Sequence, residues 1–353
     1  MGQAAGCAGL MRQPYIDEDE APETDKRPKI VRRLSLISGL VDTKGTDDLT
    51  KAGYSDDALS TEENRARGKM NCGVRTKKGF VPGNPGKVNQ DRFVVKWGLQ
   101  KRDDVSLFGA FDGHGPVGQE ISQYVATNLP IYLENQENLL SDPKKAIMEA
   151  TAKLCARLKV EKKDASRFSG TTAVFAIKIQ NKIYTANIGD SRSVLCTRVG
   201  SDSFQSIALS EDHKPETPSE KKRILAAGGR VHALKGFYGP AGPERVWLKT
   251  QDIPGLAMSR SIGDGLAHTV GVLDVPTITE YEVSSLDKFV VWASDGVWDF
   301  MPNHEIGHFC SKYAPDMDAA AAAIVKRACS LWEKNEQVVD DITIVALQLH
   351  GLD

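Results

Sequence analysis

The sequence predicts an α+β fold built from layers of antiparallel sheet and helix, not a doubly wound parallel sheet. Two observations carry that expectation. Apolar runs of strand length follow one another across short turns, as hairpins do. Segments with helical apolar spacing also come in consecutive pairs, so strand and helix do not alternate along the chain. A third observation points to a site: several apolar runs stop abruptly at an aspartate, often as Asp-Gly or Gly-Asp.

Length and composition set the bounds. The 353 residues suffice for one large domain or two ordinary ones, and 41% hydrophobic residues allow a sizeable core. A formal net charge of -2 gives no global reason to expect a nucleic-acid partner. The cysteines (Cys7, Cys72, Cys155, Cys196, Cys310, Cys329) are scattered without a C-x-x-C pair. That fits a reducing compartment better than a disulfide framework or a zinc site. No apolar run reaches the length of a bilayer span, and the N-terminus lacks the apolar core of a secretory signal.

Taken in order, residues 1–68 read as a disordered regulatory tail, rich in charge and turn formers such as Asp17-Glu18-Asp19-Glu20 and Ser55-Asp56-Asp57. One basic and apolar island interrupts it, from Ile30 to Val41. Residues 69–353 read as the folded domain. Val105 to Phe111 has the length and composition of a buried strand. It runs into Asp112-Gly113-His114-Gly115, where the glycines let the backbone turn sharply and approach a ligand. Gly118 to Leu129 reads as a helix bounded by Pro130, and Pro143 to Val160 as a second. Strands follow at Thr171 to Ile179, Lys182 to Ile188 and Ser193 to Arg198, with Asn181-Lys182 as a hairpin turn between the first two. Pro218 to Ala227 is a short helix closed by Gly228-Gly229. Gly236 to Gly255 is rich in glycine and proline and reads as a surface flap. Lys288 to Ser294 is a buried strand, His304 to Tyr313 and Asp316 to Glu336 are helices, and Ile342 to Leu349 is the last strand.

The acidic residues at run ends form a set: Asp112, Asp190, Asp295 with Asp299 four residues on, and Asp340-Asp341. A carboxylate at a buried strand end is costly unless something positive sits beside it. Oxygen-rich sites select hard cations such as Mg2+ or Mn2+, which activate water and stabilise phosphoryl oxygens. His114, two residues beyond Asp112, is placed to protonate a leaving alkoxide.

The chain resembles the metal-dependent serine/threonine protein phosphatases of type 2C. The matching segments are Asn89-Gln90-Asp91, Phe111-Asp112-Gly113-His114-Gly115, Ser169-Gly170-Thr171-Thr172-Ala173 and Asn187-Ile188-Gly189-Asp190-Ser191-Arg192. They continue with Asp212-His213-Lys214-Pro215, the run from Leu256 to Asp264 containing Ser259-Arg260-Ser261-Ile262-Gly263-Asp264, Ala293-Ser294-Asp295-Gly296 and Asp340-Asp341-Ile342-Thr343. Each is short; eight in the family's order, over roughly residues 70 to 350, are specific.

The resemblance implies two antiparallel β-sheets packed as a sandwich flanked by α-helices, with metals at one end. It implies hydrolysis of phosphoserine and phosphothreonine on proteins, using water activated by two Mg2+ or Mn2+ ions and a weaker third site. By position, Asp112 bridges two metals, Gly113 lends its carbonyl, and Asp295 and Asp340 ligate the second ion. Asp190, Asp295 and Asp299 match the third site. Gln90 and Asp91 lie in the outer shell and orient water, Thr172 buttresses a metal-site carboxylate, and His114 is the general acid. Asp341 replaces an asparagine often found there. One departure matters: the family's phosphate-clamping arginine, five residues before the Asp of Asn-Gln-Asp, is here Gly86, with Lys87 beside it. Lysine lacks the guanidinium fork, so the clamp falls to Lys87, Arg92 or Arg75.

Other readings compete. Gly83-Asn84-Pro85-Gly86-Lys87 lacks the first glycine and the final Ser or Thr of a phosphate-binding loop. His304 and His308 have zinc-compatible spacing but no metalloprotease glutamate after His304. A pseudophosphatase binding module would keep the fold and lose Asp112, Asp295 or Asp340, and all are present. A hydrolase of small phosphoesters differs only in substrate. The tail adds expectations of its own. Met1-Gly2 offers an N-myristoylation glycine, although Gly6 stands where Ser or Thr is favoured. Cys7 is close enough for palmitoylation, which suggests a cytoplasmic, peripherally membrane-associated monomer. Arg32-Arg33-Leu34-Ser35 has the pattern basophilic kinases favour, with Ser35 as acceptor.

Overall fold

The computed structural model describes residues 56–57, 72–236 and 239–352. Gly2, Cys7 and the basic island with Ser35 lie outside the described residues. In chain order the strands are β1 (Asp56–Asp57), β2 (Cys72–Lys77), β3 (Arg92–Trp97), β4 (Val105–Phe111), β5 (Gly113–His114), β6 (Gly170–Thr171), β7 (Ala173–Ile179), β8 (Lys182–Ile188) and β9 (Arg192–Arg198). They continue as β10 (Phe204–Ala208), β11 (Arg230–Gly236), β12 (Gly239–Trp247), β13 (Pro254–Leu256), β14 (Ile262–Gly263), β15 (Thr277–Glu282), β16 (Asp287–Ala293) and β17 (Ile342–Gln348). The helices are α1 (Gly118–Glu134), α2 (Pro143–Glu161), α3 (Pro218–Ala226), α4 (Gly265–His268), α5 (Asp295–Trp298), α6 (Asn303–Tyr313) and α7 (Met317–Asn335).

Two antiparallel sheets dominate, ordered β1-β2-β17-β16-β9-β10 and β15-β8-β7-β4-β3. Side chains alternate across a strand, and here both faces are covered. From β4, Phe108 and Ala110 join Val290 and Trp292 of β16 in a core between the sheets. Phe108 stacks on Trp292 with ring centroids 5.2 Å apart. Leu107 and Phe111 point the other way, into a core shared with Ile121 and Val125 of α1 and Leu154 of α2. In β16, Phe289 and Val291 likewise face Ile324 and Trp332 of α7. The layers are therefore helix, sheet, sheet, helix. Burial on both faces explains why β4 and β16 carry consecutive apolar residues, Leu107-Phe108-Gly109-Ala110-Phe111 and Phe289-Val290-Val291-Trp292-Ala293, despite antiparallel pairing.

Helix boundaries follow local chemistry. The Asp142 carboxylate accepts the Lys145 N–H at 3.1 Å, and Pro143 occupies the first turn of α2, where a missing N–H costs nothing. Asp316 caps α7 in the same way through the Ala319 N–H at 3.0 Å. Pro130 does not end α1 as its ring chemistry suggests; the helix continues to Glu134 with Pro130 inside it. Leu129 and Leu133 are both buried on either side of the proline. Their burial offsets the roughly 3 kcal/mol that an interior proline costs.

Other differences are small. The β7–β8 turn is Gln180-Asn181, since Ile179 pairs with Lys182, one residue earlier than expected. Asp56–Asp57, inside the expected tail, pair with Thr76 and Lys77 at the edge of the larger sheet. The glycine- and proline-rich flap is itself a three-stranded sheet, β11-β12-β13. Only its base is apolar: Val246 and Leu256 pack with Ile224, Met258 and Val270, and Trp247 stacks on His232.

Candidate active site

Strand ends converge at one end of the sandwich. β4 delivers Asp112 and β16 leads through Ser294 to Asp295. Its antiparallel neighbour β17 begins just after Asp340-Asp341. A short ribbon, β14-β6-β5, crosses this end and pairs His114 with Gly170 and Gly170 with Gly263. Gly113 is needed for the close approach of three segments. A Cβ there would lie 2.4 Å from the Gln90 carbonyl oxygen and 2.6 Å from that of Gly118. Asp112 is fixed through its backbone: its N–H donates to Thr172 Oγ1 at 3.0 Å, and the Thr172 N–H donates back to its carbonyl at 2.9 Å. Thr172 thus holds the strand end, with Ser191 Oγ 2.6 Å from its own hydroxyl.

The result is a cavity of about 410 Å³ whose lining includes Lys87, Gln90, Asp112, Gly113, His114, Arg245, Asp295, Asp340 and Asp341. Asp91 sits behind it, accepting from Ser294 Oγ at 2.7 Å. Burial first, then the charges of Asp341 and Asp340, push its carboxyl up to about 7. Its Oδ1 is buried with no hydrogen-bond partner. Asp341 is a tether. Its Oδ1 accepts the Gly79 N–H at 2.6 Å and meets Lys87 Nζ at 2.5 Å, and its Oδ2 accepts the Gln90 N–H at 2.9 Å. Burial pulls the Lys87 ammonium down, but Asp341, Asp340 and Asp91 together hold its pKa above the ordinary lysine value. Gln90 Nε2 donates to Gly115 O at 2.9 Å and to Gln119 Oε1 at 3.0 Å, which closes the loop over β5.

Not every sequence-derived candidate faces the cavity. Arg75 is turned to Asp318 at 3.2 Å, and Arg92 donates to Gln123 Oε1 and to the carbonyls of Asn89 and Asp91. Lys87 alone of the three lines it. Asp190 and Asp299 are not among the lining residues either. Asp190 Oδ2 lies 2.5 Å from Lys214 Nζ. Asp299 follows α5, and both carboxylates act on the Arg192 guanidinium. His304 and His308 are exposed on α6. Two residues escaped the sequence reading. Arg245 is carried into the cavity by β12, where it donates to the Gly255 carbonyl at 2.7 Å; the flap offered no periodicity to single it out. Asp264 is the last residue of a motif already quoted, and only its contacts give it a role.

The protein phosphatase 2C profile matches residues 86–335, the stretch that contains all of these motifs but the last. The chain belongs to the protein phosphatase 2C family. It is 34% identical over 296 residues to "Probable protein phosphatase 2C 35" of Arabidopsis thaliana, covering 79% of this chain and 84% of that one. It is 35% identical over 316 residues to "Probable protein phosphatase 2C 61" of the same plant, covering 85% and 95%. Among solved structures, a serine-threonine phosphatase 2C from Toxoplasma gondii overlays with a TM-score of 0.71 at 20% identity, over 84% of this chain and 99% of that one. A C. elegans sex determining protein overlays at 0.66 with 21% identity, over 80% and 65%. At such identities the structural likeness speaks for the fold alone.

Membership makes this chain a metal-dependent serine/threonine protein phosphatase. The family uses Mg2+ or Mn2+, and the residues present suit such ions. Asp112, Asp295, Asp340 and the Gly113 carbonyl are hard oxygen donors around one cavity. Asp91 Oδ1 is buried there without a hydrogen-bond partner, and the charges of Asp341 and Asp340 add to burial in raising its carboxyl. Among the described residues no three His, Cys, Asp or Glu side chains form a ready-made coordination shell. Lys87 Nζ meets Asp341 Oδ1 at 2.5 Å and Lys214 Nζ meets Asp190 Oδ2 at 2.5 Å.

Proposed function

We propose that this phosphatase hydrolyses phosphoserine and phosphothreonine esters with two Mg2+ or Mn2+ ions, held by Asp112, the Gly113 carbonyl, Asp295 and Asp340, and a weaker third near Asp190, Asp295 and Asp299. The observation that carries the reading is that Asp112, Asp295 and Asp340, from both sheets, line one cavity with His114 and Lys87. When bound, such ions supply a water acidic enough to attack at neutral pH and charge to stabilise the phosphoryl oxygens. The chain's own residues do the rest. Lys87 holds the phosphate as a point charge, with Arg245 a second cation facing the same space. Gln90 and Asp91 set the position of water beside the carboxylates. Thr172 keeps Asp112 in register through its backbone. His114 gives a proton to the leaving seryl or threonyl oxygen. Burial alone would discharge its ring, but the Asp264 carboxylate overrides this and holds its pKa above the usual histidine value.

The substrate class is separated by turnover of a phosphothreonine peptide against small phosphoesters, each with and without Mn2+. Mn2+-dependent preference for the peptide supports the reading. Preference for a small ester moves the assignment to a small-molecule hydrolase, and binding without turnover to a pseudophosphatase. For the rest of the chain, residues 1–68 act as a regulatory segment and 69–353 as the catalytic domain of a cytoplasmic monomer. Met1-Gly2 and Cys7 support a lipid anchor, and Arg32-Arg33-Leu34-Ser35 supports phosphorylation of Ser35 by a basophilic kinase.

A further inference from the structure

His114 has two ring nitrogens, and the structure treats them differently. Nε2 lies 2.5 Å from Asp264 Oδ2. Nδ1 is shielded from solvent and makes no hydrogen bond of good geometry; the Asp112 backbone lies close to the ring. Asp264 is built into place for this contact. It is 3% exposed, and its Oδ2 also accepts the Ser261 hydroxyl at 2.7 Å. Its backbone N–H donates to the Ser169 carbonyl at 3.0 Å. It adopts φ 45°, ψ 45°, a left-handed conformation that costs a non-glycine residue about 1 kcal/mol or more. The neighbouring strand leaves room for nothing else: a Cβ on Gly170 would sit 2.2 Å from Asp264 Oδ2 and 2.8 Å from His114 Nε2.

We infer that Asp264 is the positioning residue of the His114 acid, holding Nε2–H on its carboxylate so that Nδ1 is the nitrogen that delivers the proton to the leaving oxygen. The inference rests on the reading of His114 as the general acid and adds which atom acts and what orients it. In the step, water adds to phosphorus as the bond to the ester oxygen breaks. The Nδ1–H proton moves to that oxygen, leaving a serine or threonine hydroxyl and a neutral imidazole whose Nε2–H stays on Asp264. A carboxylate can only accept, so it excludes the tautomer with the proton on Nδ1 and none on Nε2. It also fixes the ring plane. An asparagine there can turn its NH2 toward Nε2 and reverse the assignment.

The test compares a phosphothreonine peptide, whose alkoxide needs a proton, with p-nitrophenyl phosphate, whose phenolate does not. With Mn2+ present, Asp264→Asn should lower kcat on the peptide about tenfold more than on the aryl ester, in the same sense as His114→Ala. The double variant should be no worse on the peptide than His114→Ala alone. Histidine 15N shifts of the Mn2+-free protein should lose the strongly hydrogen-bonded Nε2–H in Asp264→Asn. Ser261→Ala, which removes one hydrogen bond from Asp264, should show a smaller bias of the same sign and serves if Asp264→Asn does not fold. Equal losses on both substrates for Asp264→Asn, or losses that multiply in the double variant, overturn the inference. Equal losses for His114→Ala would instead overturn the general-acid reading beneath it.

Discussion

Replacing a carboxylate by its amide removes charge while keeping volume, so Asp112→Asn and Asp295→Asn separate chemistry from folding. Each should lower phosphopeptide turnover about 100-fold or more while circular dichroism and the thermal midpoint stay near wild type. Near-wild-type turnover in either would remove that residue from the reaction. Lys87→Ala tests the clamp. Asp341 keeps its backbone donors Gly79 and Gln90, so the loop should hold, and KM should rise about tenfold with a smaller change in kcat. Unchanged KM would leave Arg245 as the cation to test next. His213 offers a pH prediction that needs no metal. Its Nδ1 accepts the Gly189 N–H at 3.1 Å. Burial first, then the nearby Arg260, lower its pKa from 6.5 to about 4. A folded-state value below the unfolded one means the unfolded chain binds the proton more readily. The contribution is complete above pH about 6.5 and is lost as pH falls toward about 4, by up to about 3 kcal/mol. Urea unfolding at pH 7 and pH 4.5 should show a smaller acid-induced loss in His213→Asn than in wild type. Equal losses would place the acid sensitivity elsewhere.

At the scale of elements, the site depends on β5 lying against two other segments without a side chain between them. Gly113→Ala should therefore destabilise by about 1–3 kcal/mol and depress activity, because the new methyl meets backbone oxygens that have no slack. Chemical denaturation and phosphopeptide turnover check both halves, and an Ala variant as stable and active as wild type would contradict the packing. The same elements show what could be read in advance. The buried strands β4, β8, β16 and β17 fall within a residue or so of their expected ends because their apolar runs are interrupted by turn formers and aspartates. The starts of α2 and α7 were legible at Pro143 and Asp316, where the Asp142 and Asp316 carboxylates cap them, and α6 begins one residue before its expected His304. Strands β3, β10 and β15 were not legible, since their half-exposed residues mix charge with apolar side chains and carry little periodicity; β2 was not either, because Arg75 and Lys77 interrupt its short, mostly buried run. The end of α1 was misread because tertiary burial of Leu133 outweighs the local rule for Pro130. At the site, Asp112 and Asp295 stood out by ending apolar runs, Asp340 by preceding one, and His114 by lying two residues beyond Asp112. Asp264 and Arg245 did not, because their importance comes from partners 150 and 10 residues away in sequence.

For the molecule as a whole, the open question is where the sandwich works. Among the described residues no helix is long and apolar enough to cross a membrane; the proposed attachment is through the N-terminal segment. Met1-Gly2 provides the glycine that myristoylation uses, and Gln3, Ala4 and Ala5 are small or uncharged as that pattern prefers. Gly6 departs from it. One myristoyl chain holds a protein only marginally, with an association constant of about 10⁴ M⁻¹, so a second signal decides the outcome. Cys7 offers a second acyl chain, and Lys26, Arg27, Lys29, Arg32 and Arg33 offer charge. The acidic run Asp17 to Glu20 lies between them and opposes the attraction of the basic group to anionic lipid. The acyl pair should therefore dominate. In fractionated cells the wild type should be membrane-bound, Gly2→Ala soluble and Cys7→Ser partly released. Charge reversal at Lys26 and Arg27 should matter less than either. A wild type found only in the soluble fraction would eliminate the anchor. A Gly2→Ala variant still on the membrane would shift the attachment to the basic group or to a protein partner.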